Sequence, residues 1–417
     1  MKVLCLSHWY PNSENPVLGT FVHEQAIALR RLGVELRVVQ PIPRTPFPVT
    51  LLKESYRRLA QVPAAEVYEG FPVRHPRYIT LPEHFLYERV GRWMYEGIKD
   101  TLLALRREWH FEIIHAHTTY PCGFAANLCR QILFPDVKVV HTIHRYCIVE
   151  VPTYNGRCYA NVRASLEGAD ANVFVSLEGQ RLAMDYTEGH IADTSSYITN
   201  GVDTDKFSLT EADRQEVASL KQQHANTWNL VFVGYVREVK GIKELLSAIH
   251  ELKARGRNKI RLFLVGGNRL GSYVEDFLAA NGLRESVVCV GMVPHDRVKV
   301  WMKFADAFVL PSHSEGLPTV LFESLFTGTP SIFTRVGGVG DIVTDRQEAL
   351  LIPAKSVPAI VEAVETLMDD EELCRRMSAQ GRELIRTRYT WKRNAEEHVR
   401  LYERLLGGAP ERAGADR

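Results

Sequence analysis

Short apolar runs alternate with amphipathic segments along most of the chain. A short apolar run bounded by polar or turn residues predicts a buried strand, whereas apolar positions repeating every three or four residues predict a helix. The predicted strands are 2–6, 35–39, 113–117, 137–143 and 171–176 in the first half and 230–234, 261–265, 287–291, 307–310 and 330–333 in the second. Helices are predicted between them at 21–31, 85–107, 242–254, 273–281 and 319–327.

This alternation of strands and helices predicts the α/β class, with parallel sheets covered by helices on both faces. A chain of 417 residues is too long for a single core, and the pattern restarts in its second half. We therefore predict two doubly wound domains. The polar stretch 205–228 carries little strand signal and is predicted to bridge them, and the Gly-, Ala- and charge-rich tail 407–417 is predicted to be disordered.

Composition limits which classes of function and which cellular compartment are compatible with the chain. The chain is 45% hydrophobic and 24% charged with a net charge of +1, so no global charge drives it toward nucleic acid. Its seven cysteines lack the spacing of a metal clip, which predicts free thiols in a reducing compartment. The N-terminus does not have the pattern of a signal peptide, and no apolar stretch reaches the length of a membrane span. We expect a cytoplasmic protein.

The segment 311–325 is the most informative one for chemistry, because it holds two glutamates, Glu315 and Glu323, on either side of a Gly-Leu-Pro turn. Glu315 is predicted in the loop between strand 307–310 and helix 319–327, and Glu323 within that helix. Ligands of α/β sheets bind at such carboxyl ends of strands. Free amides at a helix start can bind phosphate oxygens, and flanking carboxylates can accept hydrogen bonds from hydroxyls. A sugar nucleotide fits this arrangement.

The segment resembles the Glu-x7-Glu element of family 4 glycosyltransferases, which are retaining enzymes of the GT-B fold. The resemblance implies two Rossmann-like, doubly wound parallel-sheet domains facing a cleft, with a C-terminal helix crossing back to the first domain. It implies an acceptor-side domain at 1–205 with the returning helix at 390–406, and a nucleotide-sugar-binding domain at 206–389. By the same resemblance, Glu315 lies beside the donor sugar and diphosphate, and Glu323 binds the ribose. The donor-binding residues between them are Gly316, Leu317, Pro318 and Thr319.

Other motifs add candidate residues through the same resemblance. His144 matches a strand-end histidine that faces the sugar and diphosphate, and Lys240 matches a lysine that stabilises the leaving diphosphate. Tyr235 stands where the family usually has arginine, and Arg237 is a candidate to compensate for it. His117 is assigned to the acceptor side. Further donor-binding candidates are Gly19, Gly234, Gly266, Met292 and Gly338.

We expect no metal and no cofactor besides the nucleotide-sugar substrate. The first strand is not followed by the Gly-x-Gly-x-x-Gly pattern of dinucleotide-binding proteins. The run Asp203-Thr204-Asp205 has the pattern of a metal clamp from another glycosyltransferase fold, but it lies in a predicted hinge. Lysine and arginine can stabilise a departing diphosphate instead.

The sequence therefore predicts transfer of a sugar to a hydroxyl of a glycan or lipid-linked acceptor in cell-surface polysaccharide or glycolipid synthesis. Two alternatives stay open: a sugar-nucleotide epimerase, and a weakly active sugar-nucleotide-binding partner of a polysaccharide assembly complex. The aromatic and basic segment 43–109 suggests a peripheral contact with anionic lipid. The same segment contains a helical stripe of apolar residues, Leu86, Val90, Trp93, Leu102 and Leu105. In the alternative interpretation this stripe is the core face of a domain helix, and the arginines are solvated on its other side.

Overall fold

The computed structural model describes residues 1–46 and 54–407, without the side chains of 54–56. The predicted tail beyond residue 407, and Phe47 and Lys53 of the predicted lipid-contact segment, lie outside the described residues. The chain forms two compact units. Unit 1 is Met1–Thr199 together with the chain from Trp391 onward, and unit 2 is Asn200–Thr390. The boundary thus precedes the segment 200–205, which the sequence assigned to the first domain.

The strands of unit 1 are β1 Lys2–Leu6, β2 Glu35–Val39, β3 Ile42–Arg44, β4 Ala65–Tyr68, β5 Phe71–Arg74, β6 Arg77–Ile79, β7 Ile113–His117, β8 Lys138–Ile143, β9 Ala171–Phe174 and β10 Ser195–Tyr197. Within the described residues, eight of them form one sheet in the order β10-β9-β8-β7-β1-β2-β5-β4, and β3 pairs with β6 separately. In the large sheet all neighbouring strands are parallel except β4 and β5. Its first helices are α1 Thr20–Arg31, α2 Glu54–Gln61, α3 Val90–Glu108, α4 Phe124–Ile132, α5 Arg145–Val149, α6 Gly156–Glu167 and α7 Leu177–Tyr186.

The strands of unit 2 are β11 Trp228–Val233, β12 Ile260–Val265, β13 Val287–Gly291, β14 Ala307–Leu310, β15 Ser331–Thr334 and β16 Leu350–Ile352. Within the described residues they form one parallel sheet in the order β13-β12-β11-β14-β15-β16. Its helices are α8 Thr204–Phe207, α9 Glu211–Gln223, α10 Ile242–Ala254, α11 Tyr273–Ala280, α12 Val298–Phe304, α13 Thr319–Thr327, α14 Val339–Ile342, α15 Val357–Asp369 and α16 Glu371–Arg388. Near-continuous apolar strands such as β14 are buried along their whole length, as parallel strands covered on both faces must be.

The last helix, α17 Trp391–Leu405, belongs to unit 1, as the predicted crossing helix does. Trp391, Ala395 and Tyr402 of its apolar stripe are buried in a cluster with residues of β1 and α1. Its polar face is also engaged, because the Asn394 side chain accepts a hydrogen bond from Gln25 Nε2 at 2.9 Å and donates one to Thr199 O at 2.7 Å. The helix thus completes the core of unit 1.

Two predictions about elements were wrong. The helix predicted over 85–107 begins only at Val90, because Leu86 has a left-handed backbone with φ 53° that an α-helix cannot contain. The stretch 205–228 is not a bridge but part of unit 2, where α9 starts with a capping box between Thr210 and Asp213. Its polar composition reflects a surface helix that buries only Asp213 and Val217.

Candidate functional site

The candidate donor residues of unit 2 follow five strands that are consecutive neighbours in the sheet: β13, β12, β11, β14 and β15. Because these strands are parallel, their carboxyl ends meet at one edge of the sheet. Backbone hydrogen bonds join the ends of β11, β12 and β13. Gly234 N donates to Val265 O at 2.9 Å, and Gly266 N donates to Gly291 O at 2.8 Å. Residues distant in sequence are therefore collected along one edge.

At this edge Lys240 and Glu315 form an ion pair. The Lys240 ammonium donates to Glu315 Oε1 at 2.6 Å, and Ser312 Oγ donates to the same oxygen at 2.6 Å. The side chains of Lys240 and Glu315 are only 17% and 10% exposed, so solvent screens their attraction weakly. Glu315 and Ser312 together fix the position of a cation at the strand ends.

The loop that carries Glu315 packs directly against the loop after β15. Gly338 N donates to Gly316 O at 2.7 Å. Gly337 has φ +56°, and a Cβ at this position would lie 2.1 Å from Glu315 O. Only glycine can therefore occupy position 337, and its close approach places two loops of backbone amides beside the ion pair.

The start of α13 supplies further amide donors. Pro318 is its N-cap residue and offers no side-chain cap, so the first amides, beginning with Thr319, lack the usual capping acceptor. Leu317, just before it, is buried, and its carbonyl accepts a hydrogen bond from Asn200 Nδ2 at 3.4 Å. A helix start of this kind favours an anion by its free donors and its dipole.

Glu323 lies one turn into α13 and is 4% exposed. Its Oε1 is 2.9 Å from His295 Nε2, whereas its Oε2 is buried and has no hydrogen-bond partner among the described residues. A buried carboxylate oxygen without a donor is costly, and such a group in a native site calls for an unseen partner. A ligand hydroxyl would supply it.

A buried charge network anchors the segment that carries His295. Asp213 is 2.7 Å from Arg297 and 2.9 Å from Lys299, and it also accepts a hydrogen bond from Thr210 N at 2.9 Å. Burial alone would raise the pKa of the Asp213 carboxyl. The hydrogen bonds and positive charge of Lys299, with the Thr210 donors, outweigh burial and hold that pKa well below its usual range.

Two residues predicted for the donor site, Arg237 and Met292, take no part in the contacts described above. Arg237 is exposed, and its side chain makes no hydrogen bond, ion pair or ring contact with any other described residue. Met292 is 58% exposed at the end of β13. The sequence hypothesis that Arg237 replaces the missing arginine at Tyr235 therefore gains no contact in its support.

In unit 1, Gly19 and His144 are brought together by two aromatic residues. The His144 ring lies 4.7 Å from Phe21 and 6.2 Å from Trp9, measured between ring centroids. Gly19 has φ +63°, and a Cβ there would lie 2.3 Å from Trp9 O. Both residues thus lie around Trp9, in the loop after β1.

A stack of buried imidazoles continues from His144 into unit 1. His117 lies parallel to His144 at 5.8 Å, His115 follows at 4.6 Å, and His398 of α17 lies 5.4 Å from His115. Burial lowers the pKa of His144 to about 3 and that of His398 to about 4, and it holds the pKa values of His115 and His117 well below 6.5. These rings are neutral at pH 7. His117 Nδ1 and His144 Nε2 are buried and have no hydrogen-bond partner among the described residues.

Sequence reasoning missed several residues that the structure places at these sites. Ser312 lies inside the recognised segment, and its spacing of three from Glu315 was the available signal. His295 is 28 residues from Glu323, and no local pattern links them. Trp9 and Phe21 flank the predicted glycine loop, but only the packed structure shows that they contact His144.

The run Asp203-Thr204-Asp205 has a structural role. The Asp203 carboxylate accepts hydrogen bonds from the amides of Asp205 at 3.0 Å and Lys206 at 3.1 Å, which caps α8. All seven cysteines are free, as predicted.

Basic residues in the described part of 43–109 are largely engaged within unit 1. Arg74 pairs with Glu108 at 3.2 Å, Arg106 pairs with Asp136, and Lys99 pairs with Glu96 at 2.8 Å. The apolar stripe faces the core, where Val90, Leu102 and Leu105 are buried. Within the described chain, every helix is too short or too polar to cross a membrane.

Comparison with known families and proteins agrees with this architecture. Residues 18–206 match the model of Glycosyltransferase Family 4, and residues 215–384 match that of Glycosyl transferases group 1. The putative teichuronic acid biosynthesis glycosyltransferase TuaC of Bacillus subtilis is 29% identical over 364 residues, which span 87% of this chain and 88% of that protein.

Solved structures agree on the fold. The sucrose-phosphate synthase of Thermosynechococcus elongatus superposes with a TM-score of 0.77 at 20% identity, over 98% of this chain and all of the other. Anabaena HepE in complex with UDP-glucose gives a TM-score of 0.71 at 15% identity, over 97% of this chain and all of the other. Two family models that cover most of the chain, and an architecture shared over its whole length, establish that it belongs to the family 4 glycosyltransferases and is a glycosyltransferase with the GT-B fold.

Proposed function

We propose that this protein is a retaining, metal-independent glycosyltransferase that uses a nucleotide-diphosphate sugar. It transfers the sugar to a hydroxyl of a glycan or lipid-linked acceptor in cell-surface polysaccharide or glycolipid synthesis. The observation that carries the proposal is the Lys240–Glu315 pair at the strand ends, between the Gly337 loop and the start of α13. The similarity to TuaC, a putative glycosyltransferase of teichuronic acid biosynthesis, supports the acceptor class.

Each group has a chemical task in this reaction. The amides at the start of α13 bind diphosphate oxygens, and Lys240 stabilises the negative charge that grows on the leaving diphosphate. Glu315 orients Lys240 with Oε1 and lies beside the donor sugar. Glu323 Oε2 accepts a hydrogen bond from a ribose hydroxyl. In unit 1, His117 and His144 offer neutral ring nitrogens to the acceptor and to the transferred sugar.

The first test identifies the donor. The melting temperature of the protein is measured with UDP, GDP, ADP and their common sugar conjugates, because a ligand that binds only the folded state raises it. Transfer is then followed with the stabilising donor and membrane-derived or soluble glycan acceptors. Isomerised nucleotide sugar in the absence of acceptor would instead identify an epimerase. Binding without any transfer would identify an inactive partner protein.

The second test addresses the mechanism. We expect Lys240→Ala and Glu315→Ala each to lower kcat about a hundredfold or more while the fold is retained. Lys243→Ala is the matched control, since Lys243 lies in α10 and pairs with the exposed Glu238. Near-normal turnover in either site variant would place the chemistry elsewhere. EDTA should leave activity unchanged, and inhibition reversed by manganese would refute metal independence.

The lipid-linked acceptor can be tested through membrane contact by 43–109. The pairing of Arg74, Lys99 and Arg106 within unit 1 leaves fewer free cations for lipid than the sequence suggested. Flotation with anionic vesicles at low salt measures the contact directly. If the protein does not float, and activity on membranes survives replacement of Arg57 and Arg58 by glutamate, the acceptor is a soluble glycan.

A further inference from the structure

The Lys240–Glu315 pair at the strand ends of unit 2 supplies too little net positive charge for a diphosphate. Lys240 is already neutralised by Glu315 at 2.6 Å. A nucleoside diphosphate carries more than one negative charge, so a site of this kind gains from a second cation that no carboxylate compensates. The loops after β11 and β12 are the place to search for it, because Lys240 lies in the first loop and the second leaves the neighbouring strand at the same sheet edge.

Two guanidinium groups in these loops, those of Arg237 and Arg269, have no hydrogen bond or ion pair to any described residue. They differ in how they are held. Both side chains are exposed, but that of Arg237 has no ring contact with any described residue. The Arg269 guanidinium lies 5.0 Å from the centroid of the Tyr235 ring, which is a cation–π contact. Arg269 is therefore positioned while its donors stay free.

The backbone around Arg269 is tied to the loop that follows β11. Val236 N donates to Gly267 O at 3.0 Å, and Arg269 N donates to Val236 O at 2.8 Å. The turn after it is closed by Asn268, whose Oδ1 accepts from Leu270 N at 2.8 Å and whose Nδ2 donates to Gly271 O at 2.9 Å. The two loops form one ladder, so the base of the Arg269 side chain is fixed relative to Tyr235.

The Tyr235 ring is itself held in place by packing. A Cβ at Gly267 would lie 3.4 Å from Tyr235 Cε1 and 3.3 Å from Met292 Cγ, so the tyrosine ring and the methionine both pack against this glycine. The ring is thus held in the loop that follows β11. A tyrosine cannot supply a positive charge, but it can orient one from the neighbouring loop.

We propose that Arg269, oriented by the Tyr235 ring, binds the diphosphate of the donor and is the second cation of the site beside Lys240. This inference rests on the proposed function, since it assigns a residue to the same donor site. Arg269 would be a diphosphate-binding residue, and Tyr235 would be a positioning residue that acts through it.

The test compares binding of nucleoside diphosphates and monophosphates by calorimetry. UDP, GDP and ADP are titrated into the wild-type protein, and the tightest binder and its monophosphate are carried forward. For Arg269→Gln we expect diphosphate affinity to fall about tenfold or more, as for loss of a charge-assisted hydrogen bond, with at most about a threefold change for the monophosphate. Tyr235→Leu should lose diphosphate affinity in the same direction, whereas Tyr235→Phe, which keeps the ring, should bind like the wild type.

Arg382→Gln is the matched control, because Arg382 also lies over an aromatic ring of unit 2, that of Phe326 at 5.8 Å. Thermal melts of every variant check that the fold is intact. If the wild type binds no nucleoside diphosphate, the proposed function itself fails. If the wild type binds one and Arg269→Gln binds it equally well, or loses the monophosphate just as strongly, or if Arg237→Gln carries the loss instead, this inference is overturned and the proposed function stands.

Discussion

Acidification should destabilise unit 1 through its buried histidines. Burial lowers the pKa values of His8 and His398 to about 4 and those of His141 and His144 to about 3, and it holds those of His115 and His117 well below 6.5. In the unfolded chain each imidazole has a pKa of about 6.5. The unfolded state therefore binds more protons below this pH, so stability falls as the pH falls.

The magnitude follows from the number of these groups. Between pH 7.5 and 5.5, each histidine that stays neutral in the folded state costs about 1.4 kcal/mol of folding free energy. The six together would cost about 8 kcal/mol, which is comparable to the whole stability of a typical domain, about 5–15 kcal/mol. Unit 1 should thus be close to unfolding at pH 5.5.

Urea unfolding at pH 7.5, 6.5 and 5.5, at constant ionic strength, measures this dependence. His398→Gln should reduce the loss of stability between the first and last pH by about 1.4 kcal/mol, whatever its effect at pH 7.5. His250→Gln, at an exposed position in unit 2, is the control and should leave the pH dependence unchanged. A protein as stable at pH 5.5 as at pH 7.5 would refute the reasoning.

Three further predictions concern single side chains. Glu323→Ala should weaken binding of the free nucleoside diphosphate about tenfold or more, because its buried Oε2 is the proposed acceptor for a ribose hydroxyl, and unchanged affinity in calorimetry would exclude that role. Asp213→Asn should cost about 3 kcal/mol, since it leaves Lys299 buried beside a neutral group, and an unaltered melting temperature would contradict this. Gly337→Ala should cost at least about 1–2 kcal/mol from its left-handed backbone alone. It should also displace Glu315 and lower activity, whereas Gly340→Ala, whose Cβ would come no closer than 3.7 Å to its neighbours, should do neither.

The sequence predicted strands in which apolar residues predominate and missed a hairpin at the edge of the first sheet. β1, β2, β7, β13 and β14 match their predicted bounds because most residues of each are apolar. The hairpin of β4 and β5 was missed, since its edge strand is only partly buried along its length. The Glu69-Gly70 turn between them, with φ of 44° and 79°, was the signal that could have revealed it.

The candidate site likewise contains local features that the sequence could predict and long-range contacts that it could not. Glu315, Glu323 and the start of α13 are local features, so their spacing could be interpreted directly. The Lys240–Glu315 pair joins residues 75 positions apart, and the imidazole stack joins β7, the end of β8 and α17. Such contacts depend on strand order and packing, which no local pattern encodes.

The position of α17 has a consequence for how the protein is made. Unit 2 is one continuous stretch and can finish folding once residue 390 has left the ribosome. Unit 1 is begun first but lacks Trp391, His398 and Tyr402 in its core until α17 has been synthesised. The N-terminal domain usually completes its folding first during synthesis, and here this order of folding is reversed. Until α17 has emerged, the nascent first unit exposes the apolar residues of β1 and α1 that α17 later covers, and exposed surface of this kind is prone to aggregation.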